Sequence, residues 1–266
     1  NTFSLRPGTD LTVGARIQQA QFVGGDILDP SAVVTFDGVP FDGHRESERH
    51  GDSTWAAHLG LNHDLADGLV LFGRVGRSFR APTVDERVLS SAGYNSFRLR
   101  IQTSWDTESG IRWRGDRLNA EASVWVMNVQ DELHFNASTS LNENFDPIRR
   151  FGVEGSASVT LTDTWSLKVK ATRIRARFRE GTNKGKNVPL ISPWAGSATL
   201  RWDTADQFSV VGSISGTAAK WMDNDDANAG VRIPGSALVN VQIIGTYGPW
   251  RGALQAINLL DILFFQ

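Results

Sequence analysis

The 266 residues carry 27 Lys and Arg against 29 Asp and Glu, a formal net charge of −2, and no Cys. That balance excludes a global basic field for holding nucleic acid, and the missing Cys excludes a disulfide scaffold, a thiolate nucleophile and Cys-ligated metal sites. No run approaches the roughly 18 apolar residues of a spanning helix, yet the slightly negative mean hydropathy does not imply a soluble protein, because spanning strands alternate apolar and polar residues and average out near zero.

In chain order, the opening NTFSLRPGTD has neither the basic region nor the apolar stretch of a signal peptide. The first clear strand alternates Leu11, Val13, Ala15 and Ile17 with Thr12, Gly14, Arg16 and Gln18. The segment 41–51 holds His44 and His50 with Asp42, Glu46 and Glu48. A metal site is chemically conceivable there, but a solvated charged loop is the preferred reading. A second strand runs Trp55, Ala57, Leu59, Leu61, with Thr54, His58, Gly60 and Asn62 on its other face. Residues 118–132 are strand-like, but Val124 and Val126 oppose Trp125, Met127 and Val129, so their faces stay unassigned. Phe151, Val153, Gly155, Ala157, Val159 and Leu161 alternate with Arg150, Gly152, Glu154, Ser156, Ser158 and Thr160. Segments 194–202, 208–214 and 237–243 repeat the theme. Asp223, Asp225 and Asp226 lack the Gly turn and bidentate Glu of a calcium loop, and read as a hydrated or structural loop.

The connections alternate short and long. Short ones fall at 63–67, 114–117, 162–164, 203–206 and 248–249; long ones at 25–51, 80–98, 136–148, 180–193 and 216–235. An up-and-down antiparallel meander with tight turns on one rim and large loops on the other gives this pattern, as outer-membrane barrels do. A propeller would fit four strands into each interval of roughly 48 residues, where only two fit here. Trp113, Trp165, Trp202 and Trp250 lie beside short turns, and Trp55 and Trp194 at the opposite ends of their strands. This placement predicts two aromatic girdles at the bilayer surfaces, with Trp105 and Trp125 as mid-strand exceptions. Glu108, Arg112, Arg150, Glu154, Lys168 and Lys170 lie inside strands, where a wide wet lumen accepts them and a dry core does not.

Six further pieces carry a family resemblance. They are Ser78-Phe79-Arg80-Ala81-Pro82-Thr83 with Glu86; Gln102 to Gly110 with Ser104 and Glu108; Arg149-Arg150-Phe151-Gly152-Val153-Glu154; Asn187-Val188-Pro189 with Pro193 and Leu200-Arg201-Trp202; Asp223-Asn224-Asp225 with Asn228 and Ile233-Pro234-Gly235; and Asn258-Leu259-Leu260-Asp261. In this order they resemble the barrel of TonB-dependent outer-membrane receptors. Gln102 stands where Glu is common and Ser236 where Tyr is.

The resemblance implies an all-β, antiparallel, up-and-down transmembrane β-barrel, partial here, with about 11 strands of an expected 22 or so. Residues 1–266 are then part of the barrel, with plug domain, N-terminal barrel strands and last strand absent; residues 1–6 read as the tail of a preceding strand. The implied function is active uptake of a scarce nutrient across the bacterial outer membrane, a ferric siderophore above all, powered by the TonB system through the absent plug. The implied partners are the lipid bilayer, that system and a small-molecule ligand, with no nucleic acid. No cofactor, metal or catalytic residue is expected, since no Ser/His/acid set is placed for an enzyme. A soluble or surface β-sandwich or lectin-like binding module is the alternative: two apolar faces packed together support the module, and an apolar face pointing outward around one curved sheet supports the barrel. Haem receptors of the family carry a His after the Phe-Arg-Ala-Pro segment, and residues 83–98 contain none.

Candidate ligand contacts on the outer rim are Arg80, Tyr94, Phe97, Arg98 and Trp221, since planar guanidinium and aromatic faces suit anionic and catecholate chelates. Arg80 also has a structural reading, facing the lumen or plug. Arg173, Arg175, Arg177 and Arg179 share one side of a strand, a basic ladder towards the lumen or loop mouth. It would attract an anionic cargo or balance acidic residues of a plug.

Overall fold

The computed structural model describes residues 1–24, 35–36, 39–40, 48–88, 90–91, 94–95, 99–204 and 207–263. Twelve strands pair in sequence order into one sheet. They are β1 (Thr2–Arg6), β2 (Thr9–Gly24), β3 (Glu48–Ala66), β4 (Leu69–Arg80), β5 (Gln102–Arg114), β6 (Leu118–Gln130), β7 (Ile148–Thr160), β8 (Trp165–Phe178), β9 (Trp194–Asp203), β10 (Phe208–Thr217), β11 (Ser236–Tyr247) and β12 (Trp250–Ala256). Every neighbouring pair is antiparallel. The expected strand count is raised by one, because residues 2–6 form a paired strand of their own.

Short turns and long connections alternate as the sequence predicts. Gly8 and Gly68 take positive φ, 73° and 76°, where two-residue turns reverse the chain. The opposite rim carries short hairpins, among them 133–136 with 141–144 and 220–221 with 232–233.

Register fixes the two faces of the wall, since side chains alternate with period two. Ile17 lies opposite Trp55, Val13 opposite Leu59, Leu59 opposite Val75, Leu71 opposite Ile111, Val124 opposite Val153, Leu167 opposite Leu200 and Ile214 opposite Val239. This face is apolar and exposed, with Ile17 at 83% and Leu254 at 73%. The faces of β6 follow: Val124 and Val126 share the apolar face, while Trp125 and Met127 point to the other. Among the described residues no second sheet covers the apolar side, so the sandwich alternative has no packed pair of faces to stand on. The described hydrophobic core is small, Val129, Ile148, Ala176, Phe178 and Val188. It sits on the polar side, where loops fold over the ends of β6, β7 and β8.

Candidate functional site

The polar face is an ordered electrostatic surface. Arg74 pairs with Glu108 at 2.7 Å, Arg112 with Glu121 at 2.6 Å, Arg150 with Glu132 at 2.6 Å and Arg201 with Asp203 at 2.6 Å. Each pair joins side chains on the same face, so these charges are neutralised in place. Trp125 donates its indole N–H to Glu154 at 2.7 Å. Across β8 to β11 the same face turns to small residues, Thr172, Ser197, Ser215 and Thr217 among them, around a shallow concavity of about 350 Å³.

At the long-loop rim, residue pieces singled out in the sequence work as folding devices. Thr83 and Glu86 form a reciprocal cap on the short helix α1 (Val84–Val88): the Thr83 N–H donates to Glu86 Oε2 at 2.8 Å and the Glu86 N–H to Thr83 Oγ1 at 3.3 Å. Arg80 donates to Glu86 Oε1. Burial alone would raise the Glu86 carboxyl, but the Thr83 N–H and the Arg80 guanidinium outweigh it and hold it below its usual range. Arg87, 2% exposed, donates to Asp52, whose other oxygen meets His50 at 3.1 Å. This contact ties α1 to β3 and was not visible in the sequence, because its partners are 35 residues apart.

The loop 222–230 binds three connections together. Asn224, at φ 62°, accepts the Ala137 N–H at 3.1 Å and lies 3.0 Å from His134 Nε2. Asn228 reads Asn187 like a paired strand, accepting its N–H at 2.6 Å and donating to its carbonyl at 2.9 Å. Asp225 accepts the N–H groups of Ala229 and Gly230 at 2.9 and 3.0 Å, which gives the acidic run a turn-forming role. Asp226 is half-buried beside Asp223, Asp225 and Glu143; burial first, then those charges, push its carboxyl up, with His134 opposing.

Arg80 is the last residue of β4, paired with Gln102, and Trp221 lies in the connection after β10; no described contact joins them. Trp221 is half-buried, with the Arg232 guanidinium 5.4 Å from its ring centroid. Tyr94 belongs to a two-residue strand whose side chains lie outside the described residues, as do Phe97 and Arg98 entirely. His44 lies outside them too. Trp55, Trp113, Trp165, Trp194, Trp202 and Trp250 are all exposed on the apolar face. Trp105 joins them there, its ring 5.9 Å from Trp55 at 77°; Trp165 stacks on Trp202 at 5.6 Å. Of the two mid-strand exceptions, only Trp125 faces inward.

The basic ladder differs from expectation. Arg173 lies opposite Val153, Arg175 opposite Phe151 and Arg177 opposite Arg149, so these arginines share the apolar outer face. The inward positions of that stretch, Ile174, Ala176 and Phe178, face the loop core instead.

A family model described as "TonB dependent receptor-like, beta-barrel" matches residues 1–259. Among curated proteins, a TonB-dependent heme receptor A of Haemophilus ducreyi is 32% identical over 77 residues, 29% of this chain and 10% of that protein. Among solved structures, the copper transporter OprC superposes with a TM-score of 0.81 at 18% identity, over 100% of this chain and 43% of its own. The ferric yersiniabactin uptake receptor FyuA of Yersinia pestis gives 0.76 at 16% identity, over 98% and 39%. The chain thus spans about two-fifths of the length of these solved structures.

Proposed function

Since this chain belongs to the family of TonB-dependent receptor β-barrels, transporters of the bacterial outer membrane, we propose that it forms part of the wall and mouth of a receptor importing a scarce nutrient. The wall is the C-terminal part of a barrel of about 22 strands. That barrel encloses a plug domain through which the TonB system drives import. The cargo is a ferric siderophore.

The observation that carries the membrane reading is the sidedness of the sheet. Ion pairs such as Arg74–Glu108 lie on one face, and exposed aliphatic residues with tryptophans near both rims lie on the other. Lipid is the environment in which that outer face costs nothing, and indole rings suit its two polar boundaries. Planar cations and aromatic rings at the mouth, Arg80 and the Arg232–Trp221 stack, support an anionic aromatic chelate.

Two measurements test this reading. The refolded chain, placed in phosphatidylcholine vesicles with brominated acyl chains, should show quenched tryptophan emission; a chain that stays in solution without detergent and unquenched overturns the membrane assignment. A ferric tris-catecholate chelate should bind the refolded chain saturably and less tightly after Trp221→Ala. Binding of haem in its place, or no effect of Trp221→Ala, overturns the cargo.

A further inference from the structure

The arginines that the register places outside have no counter-charge there. Across the paired positions of the outer face from Leu11 to Ala256 there is no Asp or Glu. Arg149, Arg173, Arg175 and Arg177 cluster on β7 and β8 at the long-loop end. Arg149 stands directly opposite Arg177, an arrangement of like charges that destabilises a strand pair unless something anionic joins them. Their described contacts are neutral. Arg149 donates to Asn128 Oδ1 at 2.8 Å, and Arg173 lies 4.8 Å from the Trp194 ring centroid. The Nε of Arg177 is buried without a hydrogen-bond partner. Four arginines of the lumen face differ, since Arg74, Arg112, Arg150 and Arg201 each hold a carboxylate.

Height along the wall identifies what meets this cluster. Below it on β8, Ala171, Val169 and Leu167 continue the same face, and Trp194 lies level with its lowest member, Arg173. Indole rings mark the headgroup level, so Arg175 and Arg177 stand at the depth of phosphates. Guanidinium forks match phosphate oxygens in pairs. A plug inside the barrel is on the wrong side of the sheet to reach them.

We propose that Arg149, Arg173, Arg175 and Arg177 form a binding site for the phosphate groups of an outer-leaflet lipid, whose acyl chains lie along Val153, Val169 and Trp194. The site rests on the membrane reading above and adds a specific lipid partner to it.

Native mass spectrometry of the detergent-refolded chain tests the site. The probes are a bis-phosphorylated glucosamine-disaccharide lipid, the same lipid without phosphates, and inorganic phosphate. The chain should retain the phosphorylated lipid, and R175Q/R177Q should weaken retention on the order of tenfold. The inner-face pair K168Q/K170Q should leave it unchanged, and R149Q on the neighbouring strand supplies a second, milder loss. Equal retention of both lipids, equal losses in the inner-face pair, or displacement of the lipid by inorganic phosphate overturns the site. Quenching by brominated lipid separates the two levels: a chain that inserts without phosphate preference overturns the lipid site alone, and one that does not insert overturns both.

Discussion

A Cβ added to Gly152 would lie 2.2 Å from Cε2 of Trp125, its direct cross-strand partner. The indole occupies the space a side chain would take, and its N–H reaches Glu154 two residues further along the same face. The run Arg149-Arg150-Phe151-Gly152-Val153-Glu154 therefore reads as two interleaved messages. Its inward members are an arginine chelated by both Glu132 oxygens at 2.6 and 2.8 Å, a gap for an indole, and that indole's acceptor. Its outward members are a cation and two apolar side chains. Gly152→Ala should force Trp125 off its position and cost about 1–3 kcal/mol, read as a lowered urea midpoint of the refolded chain. Trp125→Ala in the same chain should recover much of the G152A loss, and additive effects in that double-mutant cycle would show that the contact is not shared. The alternation was legible in the sequence, but the partner of Gly152 was not. Trp125 lies on the strand whose faces periodicity left open, and only pairing with β7 settles which way it points.

At the scale of elements, two rim loops should respond to pH in opposite senses. Glu86 is held below its usual range by hydrogen bonds to its ionised form that exist only when α1 is folded. Its stabilisation is present above the ordinary carboxylate value and is lost as pH falls through the lowered one. Asp226 is raised by burial among other carboxylates. The fold of its loop is favoured while it is protonated, and that contribution is lost as pH rises from the ordinary value through the raised one. Hydrogen exchange, normalised to unstructured amides, should show α1 loosening as pH falls below the ordinary carboxylate range and residues 222–230 loosening as pH rises above it. Glu86→Gln should abolish the first transition and Asp226→Asn the second; transitions that persist in both variants would assign the loosening to other groups. The strands and turns of these elements could be read from alternation and from Gly and Pro positions. The side of β8 that carries its arginines could not, because the lower half of the strand has Lys168 and Lys170 inward while the upper half has arginines outward. Polarity switches faces where the strand leaves the apolar zone, and a pattern without depth reads such a switch as ambiguity.

For the molecule as a whole, near-neutral charge and modest hydropathy are averages over two surfaces that share nothing. The sheet that separates them ends at β1 on one side and β12 on the other, and hydrocarbon offers no partner to the free N–H and C=O groups of those edges. Since twelve strands alternate in direction, β1 and β12 run oppositely. In a bilayer where every copy inserts the same way round, the β1 edge of one copy therefore meets the β12 edge of another in antiparallel register, whereas β1 against β1 would have to pair parallel. The absence of native Cys makes this directly measurable. Phe3 and Leu254 lie on the outer face of β1 and β12, at comparable distances along the chain from the short turns at 7–8 and 248–249, opposite Leu11 and Ile243. When the isolated 266-residue chain is reconstituted, a mixture of F3C and L254C chains should form the mixed disulfide in preference to either like pair. Like pairs in equal yield would mean that edge groups do not direct the contact. No cross-link at all would mean that the two edges of a single copy close on each other, turning the open wall into a narrow barrel of its own.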